Sequence, residues 1–420
     1  MHHAVIDRRA FVTLLAGSLA APRLAWAETV SGKAFFYASV GPELALYHID
    51  VEDASLARQG SVMLPAMVQY AWPHPTAPVF YVASSNGGPG SSGGLGDTHH
   101  LTAFRIDRGS GALTPHSDAT ALRWRPIHMS VDKAGRYALI AYNRPSAVSV
   151  HRLKDDGTIG EEVKQAATLD TGIYAHQIRV TPDNSAAILV TRGNDAEQGK
   201  PEDPGALKVF AFKDGQLTNR ASIAPGGGLG FGPRHLDFHP TLPLVYVSLE
   251  RQNRLSVFKL ENGTLTPEPV FAHDTLAEPG KLRPKQLAGT LHMHPSGGFL
   301  YLANRSDLTS EFQGQQVDGG GENNVAVFAL DRATGEPRLV QTIESRGFHP
   351  RTFAPDPSGR MLVAANLTAR PVREGDSARV HPATLACYRI GDDGRLTFAR
   401  AYDIETAGKL QFWSGMVAVA

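Results

Sequence analysis

A single cysteine, Cys387, stands in a chain of 420 residues. One thiol cannot form an internal disulfide, so stability must come from burial, and with no motif around it Cys387 reads as a small buried hydrophobe. Charge of either sign is not in excess, since 41 Lys and Arg offset 41 Asp and Glu. That balance argues against a nucleic-acid protein and against a polybasic membrane binder. Beyond residue 27 no apolar run is long enough to span a bilayer. No Gly-x-Ser-x-Gly elbow between a strand and a helical pattern is present, since the one match, at 90–94, lies in a Gly/Ser-rich run, and there is no Cys-His pairing, so nothing points to covalent catalysis. The Gly-rich run 226–232 is not followed by a helical pattern, which excludes a phosphate loop.

What is abundant is turn chemistry, with 42 Gly and 28 Pro. The N-terminus has a separate character. Arg8-Arg9-Ala10-Phe11 leads into an apolar run, and Ala25-Trp26-Ala27 offers a small-x-small cleavage site. The arginine pair with Phe behind it resembles a twin-arginine export signal. The expectation is that residues 1–27 are removed and that 28–420 form one domain. That domain would be periplasmic or secreted in a bacterium, carried by the twin-arginine machinery, and a monomer or weak oligomer.

An internal repeat organises the rest. The segment 232–267 holds three strand-like runs, RHLDF, LVYVS and RLSVFKL, each closed by Pro, Asn or Gly turns; a short run after Leu265 offers a fourth. Aligned on the turn after the first run, Thr76, Ala134, Asp183, Thr241, Ser296 and Ser358 fall in register. The steps, by subtraction, are 58, 49, 58, 55 and 62 residues. A third run ending in an aromatic or His follows each, as in LTAFRI and NVAVFAL, and usually then a Gly-hydrophobic turn. KAFFYASVG (33–41) and ELALYHI (43–49) match a second and third run with no first, and the strand-like run 412–420 is left over at the other end. The solution is an all-β ring: a seven-bladed β-propeller of four-stranded antiparallel blades, closed by pairing the terminal strands. Insertions at 85–97, 193–205, 307–323 and 368–381 all follow a second strand, so all emerge at one end.

In such a blade the start of strand one and the end of strand two share that end. If first strands line the channel, residues at those points converge on one mouth. Aligned with Arg234 are Gln69, Ile127 (followed by His128), His176, Gly289 and Arg351; aligned with Glu250 are Gly41, Ser85, Asn143, Arg192, Arg305 and Leu367. His235 and His349 stand beside the first column. The mouth thus gathers Arg192, Arg234, Arg305 and Arg351 around one carboxylate, Glu250. Guanidinium forks suit carboxylate and phosphate oxygens and keep their charge at any ordinary pH. A purely structural network joining blades is the alternative, but the surplus of arginine leaves charge for a ligand to meet. His292-x-His294 and the pair His99-His100 gather too few convergent ligands for zinc, and Asp107, Asp331 and Asp392-Asp393 are accounted for by turns. No cofactor or metal is expected.

These residues resemble the seven-bladed lactonase family that holds the propeller-type 6-phosphogluconolactonases and the fungal carboxymuconate-lactonising enzymes. The resemblance covers essentially the whole chain after the leader. It is carried by GPRHLDFHP…YVSLE (232–250), LHMHPSGGFLYLANRSD (291–307), HPRTFAPDPSGRMLVAAN (349–366) and AHQIRVTPD (175–183). It implies a catalytic His, Arg, Glu and second Arg, which by motif fall on His176, Arg234, Glu250 and Arg305. Arg351, Arg192, His235, His349 and His128 would contact substrate. The chain departs from the family at 190–195, where VTRGND stands for an Asp-Leu-Gly-x-Asp motif, and in longer insertions.

Three functions remain open on the sequence. A lactonase would use Arg234 and Arg305, with Arg351, on substrate charge and the oxyanion, and Glu250 or His176 as base. Its substrate would be a small anionic or sugar lactone. Because 6-phosphogluconolactone is made in the cytoplasm, export favours an unphosphorylated aldonolactone such as gluconolactone. A muconate-type cycloisomerase would run the chemistry in reverse in the same pocket, and a periplasmic propeller binding a metabolite or protein would need no chemistry.

Overall fold

The computed structural model describes residues 33–89 and 93–419; the expected export segment and residues 90–92 lie outside the described residues. Short β-branched and aromatic runs punctuated by Gly and Pro fold into seven antiparallel blades around a central channel. The innermost strands, blades one to seven, are Ser414–Val419, Met67–Pro73, Pro126–Val131, Ala175–Val180, Pro233–Phe238, Gln286–Met293 and Pro350–Pro355. From blade two round to blade seven, and from seven to one, successive first strands touch around the channel. Closure is as expected: Ser414–Val419 pairs with Lys33–Val40, running from Ala38 opposite Ser414 to Lys33 opposite Val419.

The core is a ring rather than a ball. Seven apolar clusters fill the seven interfaces between neighbouring blades, each drawing on both faces. Cys387 lies fully buried in the cluster between blades seven and one. Two repeated polar devices pin blade to blade. A buried tyrosine of one second strand donates to the carbonyl of a turn glycine in the next blade: Tyr37 to Gly111 (2.6 Å), Tyr81 to Gly157 (2.8 Å), Tyr246 to Gly335 (2.6 Å), Tyr301 to Gly394 (3.0 Å). Gly111 has φ +75°, a conformation that disfavours any side chain, which explains the recurring Gly-hydrophobic turns. The histidines of the His-Pro turns do the same from the opposite end. Nδ1 of His74, His239 and His294 accepts backbone N–H groups of its own turn, and each Nε2 donates to Gly135, Gly297 or Gly359 of the next blade.

The four insertions emerge at one end, after Val79–Ser85, Ala186–Thr191, Phe299–Ser306 and Met361–Asn366. Two of them fold further than the sequence suggested, into hairpins Thr309–Phe312/Gln315–Asp318 and Arg370–Glu374/Ser377–His381, which pack on each other. The fourth strand of blade five is split into Thr264–Leu265 and Phe271–Asp274, both paired with Arg254–Glu261.

Candidate active site

Every first-strand residue in the mouth column sits on a β-bulge. Pairing with the second strand passes from Pro233 to His235, from Ala175 to Gln177, from Pro350 to Thr352, from Val68 to Tyr70 and from Pro126 to His128, with a wider break between Ala288 and Leu291. Arg234, His176, Arg351, Gln69 and Ile127 are therefore the extra residues, freed from the ladder. A bulge re-aims a side chain and bends its strand. Repeated blade after blade, it turns one position per blade into the mouth.

There a chamber of about 310 Å³ is walled by His176, Arg234, Glu250, Arg305, Arg192, Arg351 and His349, with Arg125, Tyr174, Asp307 and Phe412 among the remainder. The structure thus brings together seven of the nine residues singled out by sequence. His128 and His235 are placed elsewhere. Their positions follow the bulge, so they turn away from the mouth into the channel beneath, buried, where the His235 ring lies tilted against His176 (5.1 Å) and His128 tilted against Tyr70 (4.0 Å). Arg125, Tyr174, Asp307 and Phe412 were not read as site residues. Asp307 stands two residues after Arg305 and Arg125 two before Ile127, beyond the aligned column in each case.

Glu250 is the centre of one half of the chamber. Its Oε2 accepts from Nη1 of Arg192 at 2.7 Å; its Oε1 accepts from Nη2 of Arg305 and lies 2.9 Å from Nε of Arg234, without hydrogen-bond geometry. Burial alone would raise the carboxyl's pKa, but Arg305, Arg192 and Arg234 outweigh it and hold Glu250 well below the usual carboxylate range. Nε and Nη1 of Arg305 have no partner. Arg192 is further fixed by Asp195 (3.2 Å) and by the Tyr174 ring beneath its guanidinium (4.9 Å).

The other half has cations without a carboxylate. The Arg351 guanidinium carbon lies over Phe412, 3.6 Å from the ring centroid, with one bond from Nε to the Phe412 carbonyl (3.2 Å). Burial, then the charges of Arg234, Arg305 and Arg125, push its pKa well below that of a free guanidinium. Arg125, 2 % exposed, donates to Gln69 Oε1 (2.6 Å) and the Gly87 carbonyl (3.2 Å), while its Nη1 has no partner. Burial lowers it to about 10. In all, five arginines and two carboxylates line the chamber.

The second carboxylate, Asp307, accepts a 2.6 Å bond from Nδ1 of His349. The pairing leaves Nε2 of His349 as a proton acceptor. Burial and Arg305 bring His349 down to about 4; burial would raise Asp307, but the His349 bond together with the neighbouring His349, Arg305 and Arg370 brings it down to about 2. His349 holds φ +55° and Tyr174 φ +59°, uncommon conformations for residues with side chains that cluster at functional sites. His176 is neutral too, since burial and then Arg234 lower it well below 6.5, and its Nδ1 has no partner. Among the described residues no group of three or more His, Cys, Asp or Glu could hold a metal ion.

Comparison with known proteins gives this geometry a family. The chain is 29 % identical over 275 residues to a 6-phosphogluconolactonase of Bacillus subtilis, an alignment covering 63 % of this chain and 70 % of the relative. With a 6-phosphogluconolactonase of Pectobacterium carotovorum the identity is 27 % over 304 residues, covering 71 % of this chain and 81 % of that one. Among solved structures, a periplasmic gluconolactonase of Pseudomonas aeruginosa superposes with a TM-score of 0.66 at 21 % identity, over 92 % of this chain and 99 % of the other. A protein of Lactobacillus plantarum superposes with a TM-score of 0.67 at 19 % identity, again over 92 % and 99 %. These two likenesses concern the fold. The family model described as lactonase, 7-bladed beta-propeller matches residues 36–373, and with the propeller and its arginine-rich mouth already in view, the chain belongs to that lactonase family.

Proposed function

We propose that the protein hydrolyses an unphosphorylated aldonolactone, of which gluconolactone is the type, in the exported compartment that its N-terminus suggests. The observation that carries the reading is the charge imbalance of the chamber, five arginines to two carboxylates in a largely buried pocket. Hydrolysis of a lactone places negative charge on the former carbonyl oxygen and then on the released acid, and preorganised donors at low dielectric stabilise both. The names of the sequence relatives favour the same class of reaction.

In this reading Glu250 is not the base. Three guanidiniums hold it ionised, and a carboxylate so stabilised takes up a proton poorly. It anchors Arg192, Arg234 and Arg305 instead. His349 has the arrangement a base requires: a neutral ring, Nδ1–H held by Asp307, and Nε2 left to accept. Water attacks the carbonyl carbon as its proton passes to His349 Nε2. Arg234 and Arg305 meet the oxyanion; the ring C–O bond then breaks, and His349 returns the proton to the leaving alkoxide. His176 contributes an unpaired ring nitrogen for a substrate hydroxyl.

Acid release from gluconolactone above the spontaneous rate tests this. His349→Gln should lower kcat by roughly 10²–10⁴-fold. Asp307→Asn should lower it less, while His176→Gln should act mainly on KM. A His349→Gln enzyme with wild-type kcat would remove the assignment.

A further inference from the structure

Beside the central chamber lies a second cavity, a groove of about 680 Å³ between the loops of blades two, three and four. The two share Arg125 and Tyr174 in their walls and so adjoin each other. The smaller chamber is at the low end of the size range of small-molecule sites, and the groove beside it has more than twice its volume.

The walls of the groove are specific. Trp124, Tyr174, Ile173 and Pro145 supply apolar and aromatic surface, and among the described residues no Asp or Glu lines it. Asn143, 3 % exposed, has neither its amide nitrogen nor its amide oxygen in a hydrogen bond. Such a group costs free energy that a ligand hydroxyl would recover, because an amide can both donate and accept. Arg125 Nη1 is likewise without a partner at the junction of the two cavities. Tyr174, with φ +59° and its ring under Arg192, stands where the two cavities meet. Planar apolar faces with an amide and a guanidinium at their edge match a pyranose ring, which offers C–H faces and a rim of hydroxyls.

We infer that this groove is a second subsite, which receives a sugar ring attached to the lactone, so that the preferred substrate is an aldonolactone carrying a glycosyl substituent. The inference rests on the lactonase reading of the central chamber. The lactone ring sits under Arg234 and Arg305, the linkage passes Arg125 and Tyr174, and the distal ring lies against Trp124 with its hydroxyls on Asn143.

The test compares kcat/KM for gluconolactone and for the δ-lactone of cellobionic acid, after subtraction of spontaneous opening. The disaccharide lactone should be favoured by about tenfold or more, the worth of one good ring subsite. Trp124→Ala should reduce that ratio by about the same factor, Asn143→Ala by less, and Trp124→Phe, which keeps an aromatic face and guards against misfolding, should largely retain it. A wild-type ratio at or below one, with gluconolactone hydrolysed, would overturn the subsite and leave the lactonase reading intact. Hydrolysis of neither lactone would sink the lactonase reading, and calorimetry with gluconate and cellobionate would then decide the groove. Tighter binding of cellobionate that is lost in Asn143→Ala sustains it, and equal or absent binding of the two acids overturns it.

Discussion

The first strands of blades four and five carry a charged or titratable group at each end, and the two ends of the channel treat them differently. At the mouth, His176 and Arg234 stand on bulges in a chamber where five arginines meet two carboxylates. Three residues further along the same strands, Arg179 and Asp237 pair one to one at 3.3 Å. Asp237 also accepts the Met293 amide at 2.9 Å, and the Arg179 guanidinium rests on Trp72 at 4.8 Å. The far end is a closed account, with its charges matched and its acceptors filled inside the fold. The mouth keeps an excess of arginine over carboxylate, on which the proposed lactone site rests. One pair of strands thus carries a structural ion pair at one end and the proposed site at the other, and the bulge is what distinguishes them.

The contrast can be broken at either end. The largest effect is expected from Glu250→Gln. It leaves Arg192, Arg234 and Arg305 without their shared counter-charge, so stability should fall by about 3–5 kcal/mol, as when one partner of a buried ion pair is removed. With the arginines no longer held, kcat/KM for lactone should drop by roughly 10²–10³-fold. Denaturant titration and acid release measure the two losses, and a variant near wild type in both would mean that Glu250 organises nothing.

Asp237→Asn should separate stability from activity. It strips Arg179 of its partner and weakens the bond to Met293, at a cost of about 1–3 kcal/mol. Its kcat/KM should stay within about twofold of wild type once the folded fraction is matched. A large kinetic defect would erase the distinction between the two ends.

An effect spread over pH concerns two buried histidines, His349 in the chamber and His292 near Asp237 at the far end. His349 and His292 titrate near 4 in the folded protein, below the ordinary value of 6.5, chiefly through burial. The unfolded chain therefore binds more protons between those values, and stability is complete above about 6.5 and lost as pH falls toward 4. The expected slope is at most about 1.4 kcal/mol per pH unit for each histidine. Asp307 and Glu250, with depressed values, add their own loss only in more acidic solution. Urea titrations at neutral pH and at steps down to about 4.5 should show the decline, and a flat profile across that window would contradict buried neutral rings.

Much of this was legible because the repeat is written in local chemistry. Turn residues and alternating strands fix each blade, and the unmatched runs at the two termini required a closed ring. The mouth columns could be listed because the bulge falls at the same place in each aligned blade, so register by residue type survived it. What the bulge hid was parity. His128 and His235 stand beside column residues in sequence, yet one step past the bulge turns them into the channel. Arg125 and Phe412 were missed because they reach the chamber from segments outside the aligned repeat, and Asp307 because its role depends on meeting His349 of the next blade. The two insertion hairpins escaped notice since segments such as TSEF and QQVD are short and mostly polar and carry no apolar alternation.

The most direct test is acid release from gluconolactone and 6-phosphogluconolactone, side by side, by the chain from residue 28 to 420 after chelation, with Glu250→Gln as control. The account predicts hydrolysis above the spontaneous rate, retained after chelation, faster for the unphosphorylated lactone and largely lost in the variant. No rate above background with either lactone would contradict it and turn attention to the cycloisomerase and ligand-binding readings of the same mouth.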